Sequence, residues 1–562
     1  MKKSQLLVVV VAIAAVAVIA AVGRGSGGDD KPNASRGDSP APAGAVRVTL
    51  ASSPEKLSLV KAVADAFNRT DAQVGGKPVF VDVRSVSSGD EEQAIARGAD
   101  KPVVWSPAST LWSRLLDSQT DRGLVADRAP SIVQSPLVLA MWEPLARALG
   151  WPGRKIGFAD ILKLAQNPRG WAAYGHPEYG SFKFVHTNPS VSTAGLEVVA
   201  GAYYAATGKK EGLTAADIER PAVKRDITDL EQSIVHYGNN TLYIEDQLRL
   251  HGPTYASAVA MEETTLVDFN LHRGHQPKLV AIYPSEGTFV SDSPYLILKA
   301  PWVDSAEREG ALAFQRFIAS HVTPEFAARY GFRPADPTQA PVPPLDAAHG
   351  VDVKQPAQVL AMPQPDVVAR IQRAWFENRK AANIELVVDT SASMNDNAKL
   401  AHAQEGLQQF LRELSPRDRV GMIAFSSRVN EVVPLVPFAQ GKGTLREAVD
   451  GLFANGETAL YDAVDAGVAA VARLRDPSRI NSVVVLTDGQ NNSGAQTMYG
   501  LEPHLAAHTG AEAAPIRVFT IAYGRDASTQ ILEKVAQVSD GKSFVGDTGN
   551  IEDVYRSISS FF

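Results

Sequence analysis

The chain has 562 residues, of which 45% are hydrophobic and 21% are charged, and this length and composition predict several folded domains. The net charge of -7 gives no reason to expect a nucleic-acid partner. Because the chain contains no cysteine, disulfides, thiolate metal sites, a cysteine nucleophile and a lipid-modified cysteine are excluded.

The N-terminus carries two lysines and then an uninterrupted apolar run from Leu6 to Val22. At about 1.5 Å per residue, a helix of this run is about 25 Å long, at the short end of a membrane span. Since basic residues precede the run, we expect residues 1–23 to cross the plasma membrane once, with the bulk of the chain outside the cytoplasm. Cleavage at Ala21-Val22-Gly23, followed by secretion, is the alternative. Residues 24–45 are rich in Gly, Ser, Pro and Asp, which predicts a disordered tether.

From residue 46 onward, predicted strands end repeatedly in loops rich in hydroxyl groups. The strands at 46–50, 79–83 and 103–105 do so, and so does a further strand that begins at Phe182. Hydroxyls and free N–H groups at helix N-termini suit an anion or a small polar molecule. The alternative is that these residues only cap helices. The candidate solute-binding residues are Ser52, Ser53, Ser87, Ser88, Ser106, Ser109, Ser192 and Thr193.

Three segments of this region resemble the extracytoplasmic solute-binding proteins of bacterial ABC importers, over about residues 46–345. They are Val103-Val104-Trp105-Ser106-Pro107, Thr187-Asn188-Pro189-Ser190-Val191-Ser192-Thr193-Ala194-Gly195 and Pro284-Ser285-Glu286-Gly287-Thr288. The resemblance implies two α/β lobes that close on a small polar or anionic solute. Glu262 and Glu263 follow an apolar segment, and we expect them on a solvated helix face, with a place in the lining of the cleft as the alternative. Residues 346–383 are predicted to be a linker, whose helix at 366–380 should pack on the next domain.

The last region, residues 384–562, opens with the short apolar run Leu386-Val387-Val388, which ends in Asp389, Ser391 and Ser393. Such a run predicts a buried strand, and open α/β sheets place their ligand sites at the carboxyl ends of strands. Strands and helices then alternate, which predicts a mostly parallel sheet covered on both faces. Thr458 and Asp488 lie at two further loop tips. Carboxylate and hydroxyl oxygens are ligands for Mg²⁺ or Mn²⁺.

The residues Asp389-Thr390-Ser391-Ala392-Ser393-Met394, Thr458 and Thr487-Asp488-Gly489 resemble, in type and order, the metal-ion-dependent adhesion site of von Willebrand factor type A domains. The resemblance implies a Rossmann-like fold over about residues 384–562. It also implies that Ser391, Ser393 and Thr458 contact Mg²⁺ (or Mn²⁺ or Ca²⁺) directly, while Asp389 and Asp488 act through water. A carboxylate of a protein partner would fill the open position.

We therefore expect an α/β protein with a two-lobed, periplasmic-binding-protein-like domain followed by a type A domain. Its expected function is membrane-anchored, extracytoplasmic binding that combines a small solute with metal-dependent protein recognition, in adhesion or sensing. The alternatives are the solute-binding component of an ABC importer and a type A assembly factor. An enzyme is not expected, because no Gly-x-Ser-x-Gly elbow is present and His186, near Ser192, is as easily structural.

Overall fold

The computed structural model describes residues 41–125, 128–509 and 515–562. The predicted membrane anchor at 1–23 lies outside the described residues, as does the predicted tether up to residue 40. Within the described ranges, no helix is both long enough and apolar enough to cross a membrane.

The N-terminal domain is an α/β structure with two lobes. Its strands are β1 Val46–Ser52, β2 Gln73–Val74, β3 Lys77–Ser85, β4 Val104–Ser106, β5 Ser135–Trp142, β6 Phe184–Thr187, β7 Ile234–Gly238, β8 Ala258–Glu262, β9 Leu279–Ile282, β10 Val290–Ser291 and β11 Leu296–Ile297. Its helices are α1 Leu57–Asn68, α2 Ser88–Arg97, α3 Thr110–Thr120, α4 Glu143–Ala148, α5 Phe158–Ala165, α6 Thr193–Thr207, α7 Ala215–Ile218, α8 Pro221–Gln232, α9 Thr241–His251, α10 Glu263–His272, α11 Ser305–His321 and α12 Pro324–Ala328.

The first lobe is built on a sheet with the strand order β11-β4-β1-β3-β2. Strand β1 is parallel to β3 and β4, and Ser52 lies in register with Ser85 on one side and Ser106 on the other. Helix α1 buries Leu59, Val63 and Phe67, which recur every four residues on one face. The loops that follow the three parallel strands therefore meet at one edge of the sheet.

The second lobe is built on the order β10-β5-β8-β6-β7, with β9 paired to β5. Strand β6 is parallel to β7 and β8, whereas β5 is antiparallel to β8, β9 and β10. Outside these sheets, isolated antiparallel β-bridges pair Ser131 with Pro294 and Gln134 with Arg333. The predicted two-lobed α/β architecture is confirmed.

The C-terminal domain has a six-stranded sheet in the order β14-β13-β12-β15-β16-β17, in which only β14 is antiparallel to its neighbour. All eight residues of β12 are buried, because β12 is central and helices cover both faces of the sheet. The predicted, mostly parallel sheet is confirmed. The strands are β12 Ala382–Asp389, β13 Arg419–Phe425, β14 Val429–Pro437, β15 Ile480–Thr487, β16 Ile516–Tyr523 and β17 Ser543–Gly546.

Within residues 346–509 and 515–562, the helices of the linker and of this domain are α13 Pro365–Asn378, α14 Lys399–Glu413, α15 Phe438–Asp450, α16 Leu460–Ala472, α17 Met498–Ala507, α18 Thr529–Val538 and α19 Ile551–Ser559. The spacing of apolar residues predicts helices at about 366–380, 397–414, 458–474, 528–538 and 551–560, which correspond to all of these helices except α15 and α17. Interior residues of low helix propensity, Gly441 in α15 and Pro503 in α17, weaken the helical pattern of those two segments.

The linker helix α13 lies on the N-terminal domain, against α3 of the first lobe and α6, α7 and α8 of the second. Its buried face includes Val367, Ile371 and Trp375. The Trp375 Nε1–H donates to Oε2 of Glu231 in the second lobe at 3.2 Å. The expectation that this helix packs on the next domain is therefore wrong. Periodicity identified the apolar face of the helix, but it does not specify which apolar surface covers that face.

The C-terminal domain rests on the second lobe through the end of the chain. The ring of Phe561 meets the ring of Tyr243 edge-on with 5.1 Å between centroids. The Phe561 carbonyl oxygen accepts a hydrogen bond from the Tyr237 N–H at 3.4 Å. Since Phe561 and Phe562 are each only 1% exposed, the junction between the two domains is a packed apolar contact.

Candidate functional site

The first candidate site lies at the carboxyl edge of the C-terminal sheet, where β12 ends in Asp389. This carboxylate is fully buried. Its Oδ1 accepts the Ser391 N–H at 2.7 Å, and its Oδ2 accepts the Thr487 hydroxyl at 2.5 Å. Burial raises the pKa of Asp389 to about 6, although the hydrogen bonds from Ser391 and Thr487 act in the opposite direction. These bonds fix both carboxylate oxygens at the base of the loop.

Two hydroxyls and a second carboxylate continue this cluster. The Ser391 and Ser393 Oγ atoms are 3.1 Å apart. The Ser393 hydroxyl donates to Oδ1 of Asp488, which directly follows β15, at 2.7 Å. Because β12 and β15 are parallel neighbours, the loops after them leave the sheet side by side. The pairing of two strands thus brings together residues that are about a hundred positions apart in the chain.

Thr458 joins the cluster from the loop that precedes α16. Its N–H donates to Oδ1 of Asn492 at 2.7 Å, which holds the backbone of the loop. A Cβ placed on Gly489 would lie 3.0 Å from Thr458 Oγ1, so the hydroxyl is directly beside the residue that follows Asp488. Thr458 is 3% exposed. The structure therefore gathers all five predicted metal-site residues, from three loops, at one edge of the sheet.

Lys399, in the first turn of α14, is a member of this cluster that the sequence analysis did not identify. Its Nζ lies 2.6 Å from Oδ2 of Asp488, and its side chain is 7% exposed. Asp526, which is largely exposed, lies 3.7 Å from the same ammonium. The signal was present in the sequence, because Lys399 shares the buried face of the helix with Ala403 and Leu407 at a spacing of four residues.

The donor set fits a small divalent cation that prefers oxygen ligands. Three hydroxyls and two carboxylates supply hard oxygens, and the cluster contains no thiol or imidazole. Nowhere in the described part of the chain do three or more His, Asp or Glu side chains form a group able to hold a metal. A cation in this cluster would therefore depend on the hydroxyls as much as on the carboxylates.

The second candidate site is the cleft between the two lobes. Its cavity has a volume of about 10 Å³, which is about the room that one water molecule needs. Four of the eight predicted solute-binding residues line it: Ser87, Ser88, Ser192 and Thr193. The cavity is also lined by Glu55, Asn239, Asn240, Thr241 and Glu262.

The other four predicted residues lie beside the cavity but do not line it. Ser52 and Ser106 are fully buried at the ends of neighbouring strands. The Ser53 hydroxyl is bonded to Glu55 and accepts from Lys56 Nζ. Ser109 caps α3 by accepting the Leu111 N–H at 3.3 Å, so the capping alternative holds for this residue.

Two buried glutamates lie at the cleft, and one of them, Glu262, lines its cavity, which was the less favoured of the two alternatives for these residues. Glu262 is 2% exposed and accepts the Thr241 hydroxyl at 2.9 Å, while Glu263 is fully buried and pairs with Arg333 at 2.6 Å. The expectation of a solvated helix face for these two glutamates is therefore wrong. Burial raises the pKa of Glu262 to about 7, with a further contribution from the Glu55 carboxylate. An acidic pair after an apolar strand can lie at a buried junction of strand and helix, here between β8 and α10, as well as on an exposed helix surface.

The lobes also bond directly to each other across the cleft. The Gly89 N–H of the first lobe donates to the Val191 carbonyl of the second at 2.8 Å. The Trp112 Nε1–H of the first lobe donates to Thr193 Oγ1 of the second at 2.8 Å. A Cβ on Gly89 would overlap the Ser190 carbonyl oxygen, so only glycine permits this approach of the two backbones. The structure is therefore that of the closed domain.

Comparison with known families agrees with the two-part architecture. The family model described as bacterial extracellular solute-binding protein matches residues 48–333, about half of the chain. The chain belongs to this family. The model of the von Willebrand factor type A domain matches residues 383–556, so the C-terminal domain is a type A domain. The solute-binding family is extracellular, which fits an extracytoplasmic location.

A relative similar over most of the chain is the uncharacterized protein Rv1836c of Mycobacterium tuberculosis, with 23% identity over 540 residues, covering 92% of this chain and 76% of that protein. Among solved structures, the sulfate-binding protein SubI of Mycobacterium tuberculosis is 16% identical. The match covers 52% of this chain and 88% of the SubI chain, with a TM-score of 0.38. Another solved structure is that of the mussel byssus proximal thread matrix protein 1 with zinc in its metal-ion-dependent adhesion site (MIDAS) motif. It is 18% identical, the match covers 32% of this chain and 47% of that protein, and the TM-score is 0.28.

Proposed function

We propose that the protein is an extracytoplasmic binding protein in which the type A domain recognises an acidic group of a protein partner through a bound Mg²⁺ ion, while the solute-binding domain holds a small polar solute. The observation that carries this proposal is the convergence of five oxygen-bearing side chains at the carboxyl edge of the type A sheet. In this proposal the protein is not an enzyme. His186 is bonded to Glu231 and to the Thr187 carbonyl rather than to Ser192, and so it is not placed to activate that serine.

In this proposal the hydroxyls of Ser391, Ser393 and Thr458 bind the cation directly, and Asp389 and Asp488 hold it through water. The cation, which could also be Mn²⁺ or Ca²⁺, supplies the positive charge that a partner's carboxylate needs. Lys399 holds Oδ2 of Asp488, which leaves Oδ1 of this carboxylate directed at Ser393. The protein's own lysine thereby orients the second carboxylate toward the hydroxyls.

The acidic lining of the cleft indicates which charge the solute carries. Glu55 and Glu262 line the cavity, whereas the nearby ammonium of Lys56 is already bonded to Ser53 at 2.5 Å and to the Pro107 carbonyl at 2.8 Å. A neutral or cationic solute that donates hydrogen bonds fits this lining better than an anion does. We propose further that residues 1–23 anchor the protein in the plasma membrane, with secretion after cleavage as the alternative.

Calorimetric titration with MgCl₂ tests the metal site. The wild-type protein should release or absorb heat on binding, and Asp389→Ala should lose that signal because the base of the loop loses its carboxylate. Asp396→Ala is the matched control, since Asp396 lies in the same loop but is exposed. Equal heats for the wild type and Asp389→Ala would overturn the metal site. Loss of the heat in Asp396→Ala as well would show that the effect of Asp389→Ala reflects disruption of the loop and not loss of a metal-binding carboxylate.

A further inference from the structure

A cavity with a volume of about 830 Å³ lies between the second lobe and the type A domain. It opens at the amino edge of the type A sheet, where β12, β15 and β16 begin. This is the edge opposite the proposed metal site: Arg517 is in register with Ser482 and hence with Ile384, five positions before Asp389, about 16 Å along the strand. The described residues that line the lobe cleft and those that line this cavity do not overlap.

Arg517 is the unusual feature of the cavity wall. It is 3% exposed, although it is the second residue of β16 and carries a full positive charge. Among residues 41–125, 128–509 and 515–562, its guanidinium forms no ion pair, and its Nε has no hydrogen-bond partner. A buried cation without a counter-charge is costly, and such groups normally have a partner.

Other cations surround the same space. Lys380 is 9% exposed, and its Nζ donates to the Ile234 carbonyl at 2.9 Å. Burial, followed by repulsion from Arg517, lowers the pKa of Lys380 to about 8. Arg479 and Lys183 also line the cavity. Within the described lining the single carboxylate is Asp540, which lies 3.2 Å from His251 Nε2. Asp476, outside the lining, also acts on Lys380, but it is already paired with Arg419 and Arg479. No carboxylate of the described residues therefore forms an ion pair with Arg517 or Lys380.

The rest of the wall is suited to an organic molecule rather than to a bare ion. Leu164, Phe182 and Val538 supply apolar surface, and Ser181, Ser233 and Thr509 supply hydroxyls. A cavity of this volume and mixed lining is typical of a small-molecule site. The guanidinium of Arg517 can form two parallel hydrogen bonds to a carboxylate or a phosphate group.

We propose that this cavity binds a small organic anion, whose carboxylate or phosphate group pairs with Arg517 and Lys380 and whose apolar body lies along Leu164, Phe182 and Val538. The site joins the second lobe to the type A domain, so an occupant contacts both. It is separate from the proposed metal site and from the lobe cleft, and it does not rest on the function proposed for either.

Calorimetric titration of the full-length protein with phenyl phosphate, benzoate and inorganic phosphate, in a buffer free of phosphate and sulfate, tests this proposal. We expect phenyl phosphate or benzoate to bind at least tenfold more tightly than inorganic phosphate, and the stronger of the two identifies the anionic group. Arg517→Met should weaken that binding at least tenfold. Arg446→Gln, which removes an exposed arginine hydrogen-bonded to Gln408, should leave it unchanged.

Melting temperatures in the absence of the probe separate binding from a structural role. Arg517→Met should melt no lower than the wild type, because the described residues offer its guanidinium no counter-charge, and it should lose the upward shift that the probe causes. Lys380→Met provides a second variant with the same expected loss of binding. Equal affinity in the wild type, Arg517→Met and Lys380→Met would overturn the proposal, as would binding that is equally weakened in Arg446→Gln.

Discussion

The edge of the type A sheet and the cleft between the lobes are both built from strand-end loops, but the loops have different origins. Asp389 and Asp488 follow two neighbouring strands of one sheet, so their separation is set by strand pairing. In the cleft, Ser88 belongs to the first lobe and Thr193 to the second, and their hydroxyls are 3.4 Å apart only because the lobes have closed. One site is fixed by strand pairing within a single sheet, and the other is formed where the two lobes meet.

The difference also appears in what the polar groups bond to. At the sheet edge, the hydroxyls of Ser391 and Ser393 contact each other and one carboxylate, in a half-open cluster of oxygens. In the closed cleft, Trp112 and Gly89 make hydrogen bonds from one lobe to the other. The oxygen cluster is assembled within one sheet, whereas the cleft must open to admit anything larger than about one water. Two substitutions and one change of pH test this contrast between the two sites.

The largest expected effect is on the sheet edge. Asp488→Ala removes the partner of Lys399, whose ammonium is nearly buried, and should lower the free energy of unfolding by about 3 kcal/mol in metal-free buffer. The double variant Lys399→Met with Asp488→Ala should recover most of this loss. Hydrogen exchange of peptides from β12 and α14 measures the change, because all seven tryptophans lie outside the type A domain.

Asp526→Ala is the control for that experiment, since this carboxylate faces the same ammonium from a side chain that is 82% exposed. It should change the free energy of unfolding by less than about 0.5 kcal/mol. If Asp488→Ala is as stable as Asp526→Ala, then the pair of Lys399 and Asp488 does not hold the edge together.

A smaller effect is expected in the cleft from Gly89→Ala. The new Cβ would overlap the Ser190 carbonyl oxygen, so the lobes should close less completely, at a cost of about 2 kcal/mol. Small-angle X-ray scattering should show a larger radius of gyration. Gly443→Ala, at a helical glycine with no neighbour within 4 Å, should instead raise stability slightly. An unchanged radius and stability for Gly89→Ala would mean that the closed form is not held by this contact.

The smallest effect is expected from pH. Burial raises the pKa of Glu262 in the closed cleft to about 7, above the ordinary value of 4.5 that applies to the unfolded chain. A carboxyl group whose pKa is raised in this way stabilises the closed form fully below about pH 4.5, and the contribution disappears as pH rises through about 7. Between pH 5.5 and pH 7 the free energy of unfolding should fall by at most about 2 kcal/mol from this group, and we expect a fall of about half that size.

The Glu262→Gln variant tests this pH dependence, because it keeps the hydrogen bond from the Thr241 hydroxyl but cannot ionise. Tryptophan fluorescence of the solute-binding domain, followed in urea at several pH values, should show a flatter stability profile for the variant. Identical profiles for the variant and the wild type would place the pH dependence elsewhere.

The local pattern of apolar residues was sufficient to predict most strands and helices of the fold. The apolar runs that became β12 and β15, and the four-residue spacing in α14, are properties of the nearest neighbours in the chain. Helix α17 was missed because Pro503 disturbs its pattern. The packing of α13 on the two lobes was also missed, because the same apolar face could have been covered by either neighbouring domain.

The sequence by itself determined the alternation of strands and helices, the two-part architecture and the five residues of the proposed metal site. It could do so because residues at the carboxyl ends of parallel strands meet wherever such a sheet forms. Only the tertiary structure decided that Lys399 neutralises Asp488, that Glu262 is buried in a closed cleft, and that Arg517 faces the cavity between the domains. Each of these depends on contacts between elements far apart in the chain. Local patterns of the sequence do not specify such contacts.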